Sequence, residues 1–363
     1  MKLQVTQEHL NQALASVGRV ANSRNTLPIL SNVLIKTTKN RLSLAATNLD
    51  IAIVHYIGAK ISEEGAITVP ARLMQDFVSS LPNSVIELEL TNNKLKVTTD
   101  QYHSVVNGIM ADDFPIMPTI SEGTKWSIAS SVLKRGLQQV VFAASSDETR
   151  QVLTGVYLHT KDKKLYIAAT DSYRLAEREL GKNTDNIAIL IPFNAMQDLL
   201  RIISDFDGEV AITHDDQQVL FQVGDVELTA RLVEGIYPDY QKLIPSDFSS
   251  TIKLKKADLI NVTKVSSLFA RESAGSVTIE LNEENNTLSI RSIASQLGEN
   301  IATVAGEVKG SDSITLNSKY LLDALQALNG EEVIFGFNGK LEPTTLSDPK
   351  DSNYVHIIMP LKS

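Results

Sequence analysis

The chain contains no cysteine. Disulfides, thiolate metal sites and cysteine nucleophiles are therefore excluded, and a reducing cytoplasm suits the composition. No apolar run approaches the ~18–20 residues that cross a bilayer. The N-terminal MKLQVTQEHL mixes charge with short apolar stretches, unlike a secretory signal. Positive charge is in deficit: 34 Lys and Arg stand against 43 Asp and Glu, a net charge of -9. A surface that coats nucleic acid all over is thereby disfavoured, while a local basic face is not. GxSxG, HExxH and GxGxxG are all missing. GFNGKL (Gly336–Leu341) lacks the upstream glycine spacing of a phosphate loop, and Leu341 stands where Ser or Thr should hold Mg²⁺. It reads as a hairpin turn. The six histidines, at 9, 55, 103, 159, 214 and 356, show no paired spacing for a metal, and His214-Asp215-Asp216 reads as a solvated turn. We expect no catalytic residue, no metal and no cofactor.

What the chain has instead is a repeat. Its 363 residues, 43% hydrophobic and 21% charged, suit a globular protein of two to four domains. RLSLAAT (Arg41–Thr47), KLYIAAT (Lys164–Thr170) and TLSIRSI (Thr287–Ile293) align, with Leu42, Leu165 and Leu288 spaced by 123 each time. AITVPARLMQDF from Ala66, AILIPFNAMQDL from Ala188 and SITLNSKYLLDA from Ser313 form a second set, which brings Asp76, Asp198 and Asp323 into correspondence. Leu30 in PILSNVLI pairs with Leu153 in QVLTGVYL, and AGSVTIEL from Ala274 is the third, weaker member. Three anchors with one period imply three diverged copies of one module.

Each copy opens with a helix whose apolar positions fall at the helical period: Leu10, Ala13, Leu14 and Val17, then Leu133, Gly136, Leu137 and Val140. Leu259, Val262, Ser266 and Phe269 give a blurred third version. Alternating strands follow, then a second helix after Pro70, after Pro192, or after Asn317, which can cap by its side chain. The fold class is α+β: three tandem two-helix, antiparallel-sheet modules at 1–120, 126–245 and 250–363. Pro-, Asp- and Ser-bearing joints lie near Asp112–Gly123 and Ile236–Phe248.

The six helices are predicted at 7–20, 71–81, 131–143, 194–204, 256–269 and 318–328. They carry eight basic residues, Arg19, Arg72, Lys134, Arg135, Arg201, Lys256, Lys264 and Lys319, against five acids. Such charges merely solvate helix faces, or they share one face turned toward a polyanion held without sequence readout. The aspartates repeated in the second helices read as structural. Residues alone thus leave three readings open: a scaffold that holds DNA loosely through a shared helix face, a repeat-built protein-interaction scaffold, and, least supported, a nucleic-acid enzyme.

RNTLPILSNVLI (Arg24–Ile35), AATDSYRLA (Ala168–Ala176), LVEGIYPDYQKLIP (Leu232–Pro245) and the terminal YVHIIMPLKS (Tyr354–Ser363) then resemble, in order and over the whole chain, the bacterial DNA polymerase III beta subunit family of sliding clamps. The resemblance implies a head-to-tail homodimeric ring with helices lining the central hole around duplex DNA. Its implied partners are double-stranded DNA, the polymerase III alpha subunit, the clamp loader, and other polymerases and repair proteins, with no membrane. It implies DNA contact at Arg24, Arg72, Arg201 and Lys242. It also implies a peptide groove at Arg150, Val152, Leu153, Thr170, Ser172, Tyr173, Arg174, Leu175, Pro238, Leu243, Asn317, Tyr320, Ile357, Ile358, Met359, Pro360 and Leu361. The chain departs from the family at Asp147 and Asn194, at Tyr173, and at its Lys362-Ser363 ending.

Overall fold

The computed structural model describes residues 1–21, 27–38, 40–294 and 298–361. The first module runs β1 (Lys2–Thr6), α1 (Gln7–Ala21), β2 (Asn32–Thr38), β3 (Arg41–Thr47), β4 (Ile51–Gly58), β5 (Lys60–Glu63) and β6 (Ala66–Pro70). It continues through α2 (Ala71–Ser80), β7 (Val85–Thr91), β8 (Lys94–Thr98) and β9 (His103–Asn107). The second runs β10 (Thr124–Ala129), α3 (Ser130–Val140), β11 (Gly155–Lys161), β12 (Lys164–Thr170), β13 (Arg174–Lys182) and β14 (Ala188–Pro192). It ends with α4 (Phe193–Ile202), β15 (Glu209–His214), β16 (Gln218–Val223) and β17 (Val226–Arg231). The third runs β18 (Ser250–Lys255), α5 (Lys256–Phe269), β19 (Ser276–Asn282), β20 (Thr287–Ala294), β21 (Gly298–Ala305), β22 (Glu307–Lys309) and β23 (Asp312–Asn317). Its close is α6 (Ser318–Ala327), β24 (Glu332–Phe337), β25 (Thr344–Asp348) and β26 (Asp351–Ile358).

The repeat seen in the sequence is a repeat of topology. The strand orders β6-β2-β3-β4, β14-β11-β12-β13 and β23-β19-β20-β21 are the same. So are β1-β7-β8-β9, β10-β15-β16-β17 and β18-β24-β25-β26. Every pairing among these strands is antiparallel, as the α+β reading requires. The modules do not stay separate, however. β17 pairs with β4 from Val226↔His55 to Ala230↔Ile51, and β26 pairs with β13 from Arg174↔Ile358 to Arg178↔Tyr354. Each join makes one continuous sheet, of eight strands at the first and nine at the second.

Continuous sheets bind neighbours as firmly as the chain binds a module to itself. The two compact units, 1–131 with 198–232 and 132–197 with 233–363, therefore divide the middle module. Sequence periodicity finds the copies, but it is blind to strand pairing across them.

The apolar period of the first helices lands in the core. Leu10, Ala13, Leu14 and Val17 are buried, as are Leu133, Leu137 and Val140. A Cβ on Gly136 would come within 2.6 Å of Leu180 Cδ2, so only glycine lets α3 sit this close to its sheet. The blurred third copy has a physical counterpart: α5 buries Thr263 and Ser266, and Thr263 Oγ1 donates back to the Leu259 carbonyl at 2.6 Å. Asn317 caps α6, accepting from the amides of Lys319 and Tyr320. Two details correct the sequence reading. The last turn of the third helix, Val141–Ala143, is 3-10 rather than α, and His214 is buried at the end of β15 while only Asp215 and Asp216 form the turn. GFNGKL does connect the paired strands β24 and β25.

Candidate functional site

Within the second unit the end of β12 builds a tight turn. Thr170 Oγ1 donates to the Arg174 carbonyl at 2.6 Å, and Asp171 Oδ1 accepts from the amides of Tyr173 and Arg174, both at 2.9 Å. Ser172 is forced to a φ of 77°, a conformation that side-chain-bearing residues seldom adopt. Its hydroxyl accepts from Arg150 at 3.0 Å. The main chain of the tail is fixed beside this turn: Met359 N–H donates to the Tyr173 carbonyl at 2.8 Å, and Leu361 N–H to the Thr315 carbonyl at 2.8 Å.

Arg174 anchors the turn from beneath. It is 9% exposed and donates to Asp171 at 3.0 Å, Asp323 at 2.6 Å and the Phe142 carbonyl at 2.7 Å. Its guanidinium lies 4.6 Å from the Tyr320 ring centroid and 5.3 Å from that of Phe142. A buried charge needs every one of these partners. Beside it, Leu153, Leu175, Tyr237, Tyr240 and Ile357 form one apolar cluster, with Val152 packed against its margin. An open groove of about 560 Å³ is lined there by Thr149, Arg150, Gln151, Val152, Leu153, Ser172, Glu234 and Pro238. An apolar floor with a few polar groups at the rim is the general make-up of a ligand-binding cleft. Gly235, at φ 129°, packs so close that a Cβ would meet Val152 Cγ1 at 2.4 Å.

The floor is stiffened by a buried polar chain. His159 Nε2 and Tyr240 Oη are 2.7 Å apart, and the Tyr240 hydroxyl donates to Glu177 at 2.5 Å. Burial pushes the His159 pKa down to about 4 and, with the Glu177 charge, pushes the Tyr240 hydroxyl well up. His356, stacked on Phe142, is pushed down to about 3 by burial and by Arg174.

The expected groove residues thus fall into three groups. Arg150, Val152, Leu153, Ser172 and Pro238 line the groove itself. Thr170, Tyr173, Met359, Pro360 and Leu361 belong to the turn and tail at its edge, where Tyr173 is 55% exposed. Leu175, Ile357, Ile358 and Arg174 are buried supports, Tyr320 is a partly buried one, Asn317 is a helix cap, and Leu243 is half exposed on the joint. Thr149, Gln151 and Glu234 were missed, as were Asp323 and Phe142, which hold Arg174. The recurring helix aspartate was the available signal for Asp323.

Of the expected DNA-contacting cations, Arg72 and Arg201 belong to the first unit and Lys242 to the second. Arg24 lies outside the described residues. In the first unit Arg72 is exposed and 3.9 Å from Asp76, and Arg201 is 2.7 Å from Asp198. Arg201 and Arg19 line a cleft of about 760 Å³ with Ser16, His55 and Asp198. Lys242, in the second unit, is 2.7 Å from Asp239, whose pKa it holds down by hydrogen bonding. Asp147 spends its carboxylate capping a short 3-10 helix at Thr149.

Comparison with known proteins agrees with this architecture. Family models described as the N-terminal, central and C-terminal domains of the DNA polymerase III beta subunit match residues 1–118, 127–239 and 241–362. The beta sliding clamp of Synechococcus elongatus is 34% identical over 375 residues, spanning 100% of this chain and 99% of its own. That of Bacillus subtilis is 31% identical over 377 residues, covering both chains fully. Among solved structures, the Pseudomonas aeruginosa clamp bound to griselimycin superposes with a TM-score of 0.95 at 27% identity over both full lengths. The Bacillus subtilis clamp gives 0.94 at 29%, over 100% of this chain and 99% of its own. With three domain matches in order and full-length relatives above 30% identity, the chain belongs to the DNA polymerase III beta subunit family and is a DNA sliding clamp.

Proposed function

We propose that two copies of this chain close head to tail into a ring around duplex DNA, and that the ring tethers a polymerase without chemistry of its own. The supporting observation is the rule by which the modules join. The last strand of each later module pairs with the fourth strand of the one before, β17 on β4 and β26 on β13. Two strands whose counterparts are paired end their sheets unpaired: β9 in the first module and β21 in the third. The same rule applied between copies seats β9 of one on β21 of another. Val105 on β9 is 59% exposed and Ile301 on β21 is 60% exposed, and apolar free edges of this kind are otherwise an aggregation hazard. Two copies of three modules, at 1–120, 126–245 and 250–363, then give a closed six-module heterologous assembly.

In this reading the helices face the hole, and their exposed cations, among them Arg19, Arg72, Arg135, Arg201, Lys264 and Lys319, touch phosphates loosely and without sequence preference. Arg24 and Lys242 join them. Polymerase III alpha subunit, clamp loader and repair proteins dock short peptides in the groove around Val152, Leu153, Tyr173 and Met359. The protein works in the cytoplasm. Loaded onto nicked circular DNA, it should be retained there and lost when the circle is linearised. Equal retention on both, or a strictly monomeric mass in solution, would leave the scaffold that never encircles DNA.

A further inference from the structure

The first join carries a second cavity, of about 210 Å³, inside the first unit. The turn in its wall is the module counterpart of the turn beside the groove just described, and Leu49 and Pro115 match the lining residues Ser172 and Pro238. Thr47 stands for Thr170 and Leu49 for Ser172, at the repeat spacing of 123. The correspondence extends to hydrogen bonds. Thr47 Oγ1 donates to the Ile51 carbonyl at 2.9 Å, as Thr170 does to Arg174. Asn48 Oδ1 accepts from the amides of Asp50 and Ile51 at 3.1 and 2.8 Å, as Asp171 does from Tyr173 and Arg174. Leu49 has a φ of 79° where Ser172 has 77°. Arg231 N–H donates to the Asp50 carbonyl at 2.9 Å, as Met359 N–H does to Tyr173. Phe114-Pro115 occupies the place of Tyr237-Pro238, with both rings buried.

We infer that this cavity is a second peptide-docking groove, built on the plan of the first for a smaller, charge-flanked segment; the inference rests on the reading of the second join as a peptide groove. The surroundings argue for an occupant. Leu49 is a branched, 52% exposed residue held in the left-handed region, and Ile116 at the rim is 97% exposed. Strained backbone and fully exposed aliphatic side chains are kept where something covers or uses them.

The substitutions between joins define what fits. Ala52 replaces Leu175 and Thr229 replaces Ile357, which leaves shorter and less apolar side chains on the wall of this cavity. Asp50 replaces Tyr173 and Arg231 replaces Met359, which places one charge of each sign at its edge. Arg231 is exposed and has no ion pair among the described residues. The complement is an extended segment that presents, on one face, a small aliphatic side chain together with an acid for Arg231 and a base for Asp50. Residues i, i+2 and i+4 of an extended chain share one face.

The probe is the labelled heptapeptide Gly-Lys-Ala-Val-Ala-Glu-Gly and its charge-reversed order, titrated against the full-length chain up to about 1 mM, the weak end of specific peptide binding. One order should bind, and Arg231→Glu or Ile116→Asp, both exposed positions that leave the fold intact, should weaken it at least tenfold. Tyr173→Ala with Met359→Ala should leave it unchanged. No binding in either order, or binding lost only in the Tyr173/Met359 variant, overturns the second groove. A Gln-Leu-x-Leu-Phe peptide run in parallel reads the other join alone: if the Tyr173/Met359 variant binds it undiminished, the reading of that join fails while the first-join result stands by its own titration.

Discussion

At the second join Arg178 reaches Asp351 at 2.8 Å and the side-chain oxygen of Gln139 at 2.5 Å, while Arg174 is held by Asp171, Asp323 and the Phe142 carbonyl. At the first join the positions 123 residues earlier hold His55, Ser16, Ile51 and Arg19. The pair on the helix and strand survives, as Ser16 and His55 Nδ1 2.8 Å apart, but the long ion-paired side chains are gone. In their place is the 760 Å³ cleft, edged by Asp198 and Arg201. One backbone plan thus supports a filled, cross-linked seam and an open one. The filled seam lies beneath the groove. Arg174 ties the Asp171 turn to the body of the unit, so the walls of the groove are fixed in advance; in the peptide reading proposed above, that lowers the ordering cost of binding.

The largest expected effect tests that seam. Arg174→Ala leaves Asp323 and Asp171 without their cation in a buried setting and should cost about 3–5 kcal/mol in denaturant unfolding of the full chain. His55→Ala at the corresponding seam removes one bond at the edge of an open cleft and should cost about 1 kcal/mol. Equal losses would dissolve the contrast between joins. Next in size is the groove. Tyr173→Ala with Met359→Ala is expected to weaken a Gln-Leu-x-Leu-Phe peptide by about 2–4 kcal/mol by calorimetric titration.

Acid sharpens the comparison from another side. The second unit buries His159 and His356 with pKa values pushed down to about 4 and about 3. In the unfolded chain both return to about 6.5. The folded state therefore binds fewer protons below neutrality. The stability these groups contribute is complete above pH 6.5 and is lost as pH falls toward 4 and then 3. The first join has Leu228 where the second has His356, and it carries the half-buried His55, whose pKa burial lowers. His356→Leu should flatten the loss of unfolding free energy between pH 7 and 5. A slope unchanged in this variant would mean that His356 is not the sensor.

Much of this was legible in the sequence. The period of 123 found the modules, and apolar spacing placed the helices to within a few residues. Pro70 and Asn317 marked second-helix starts. Sheet continuity across the joins was not legible, because nothing in IAIVHYIG of β4 or VELTAR of β17 names the strand it pairs with. The candidate site, in the Thr170–Leu175 turn and the tail, was reached through the resemblance of AATDSYRLA and YVHIIMPLKS to the family. Its supports were not: Phe142 and Asp323 look like routine helix residues until Arg174 folds between them. The local ion pairs were not legible either: Arg72, Arg201 and Lys242 each lie within 4 Å of a carboxylate three or four residues away.

That local pairing gives the smallest and most specific test. Asp76, Asp198 and Asp323 occupy one repeat position, yet Asp198 restrains an arginine of its own helix while Asp323 binds the buried Arg174. Asp198 is also partly desolvated, so burial raises its pKa against the pull of Arg201 and Arg19. Removing its charge should release Arg201 at little cost to the fold. Asp198→Asn is expected to raise affinity for duplex DNA a few-fold at low salt and to steepen the dependence of log K on log[salt] by up to about 0.9, the increment for one added phosphate contact. Asp323→Asn should leave the salt slope alone and lower stability instead, since it strips a partner from a buried guanidinium. If both substitutions steepen the slope alike, the repeated aspartates restrain DNA-facing charge at both joins. The difference between the seams would then be one of packing only.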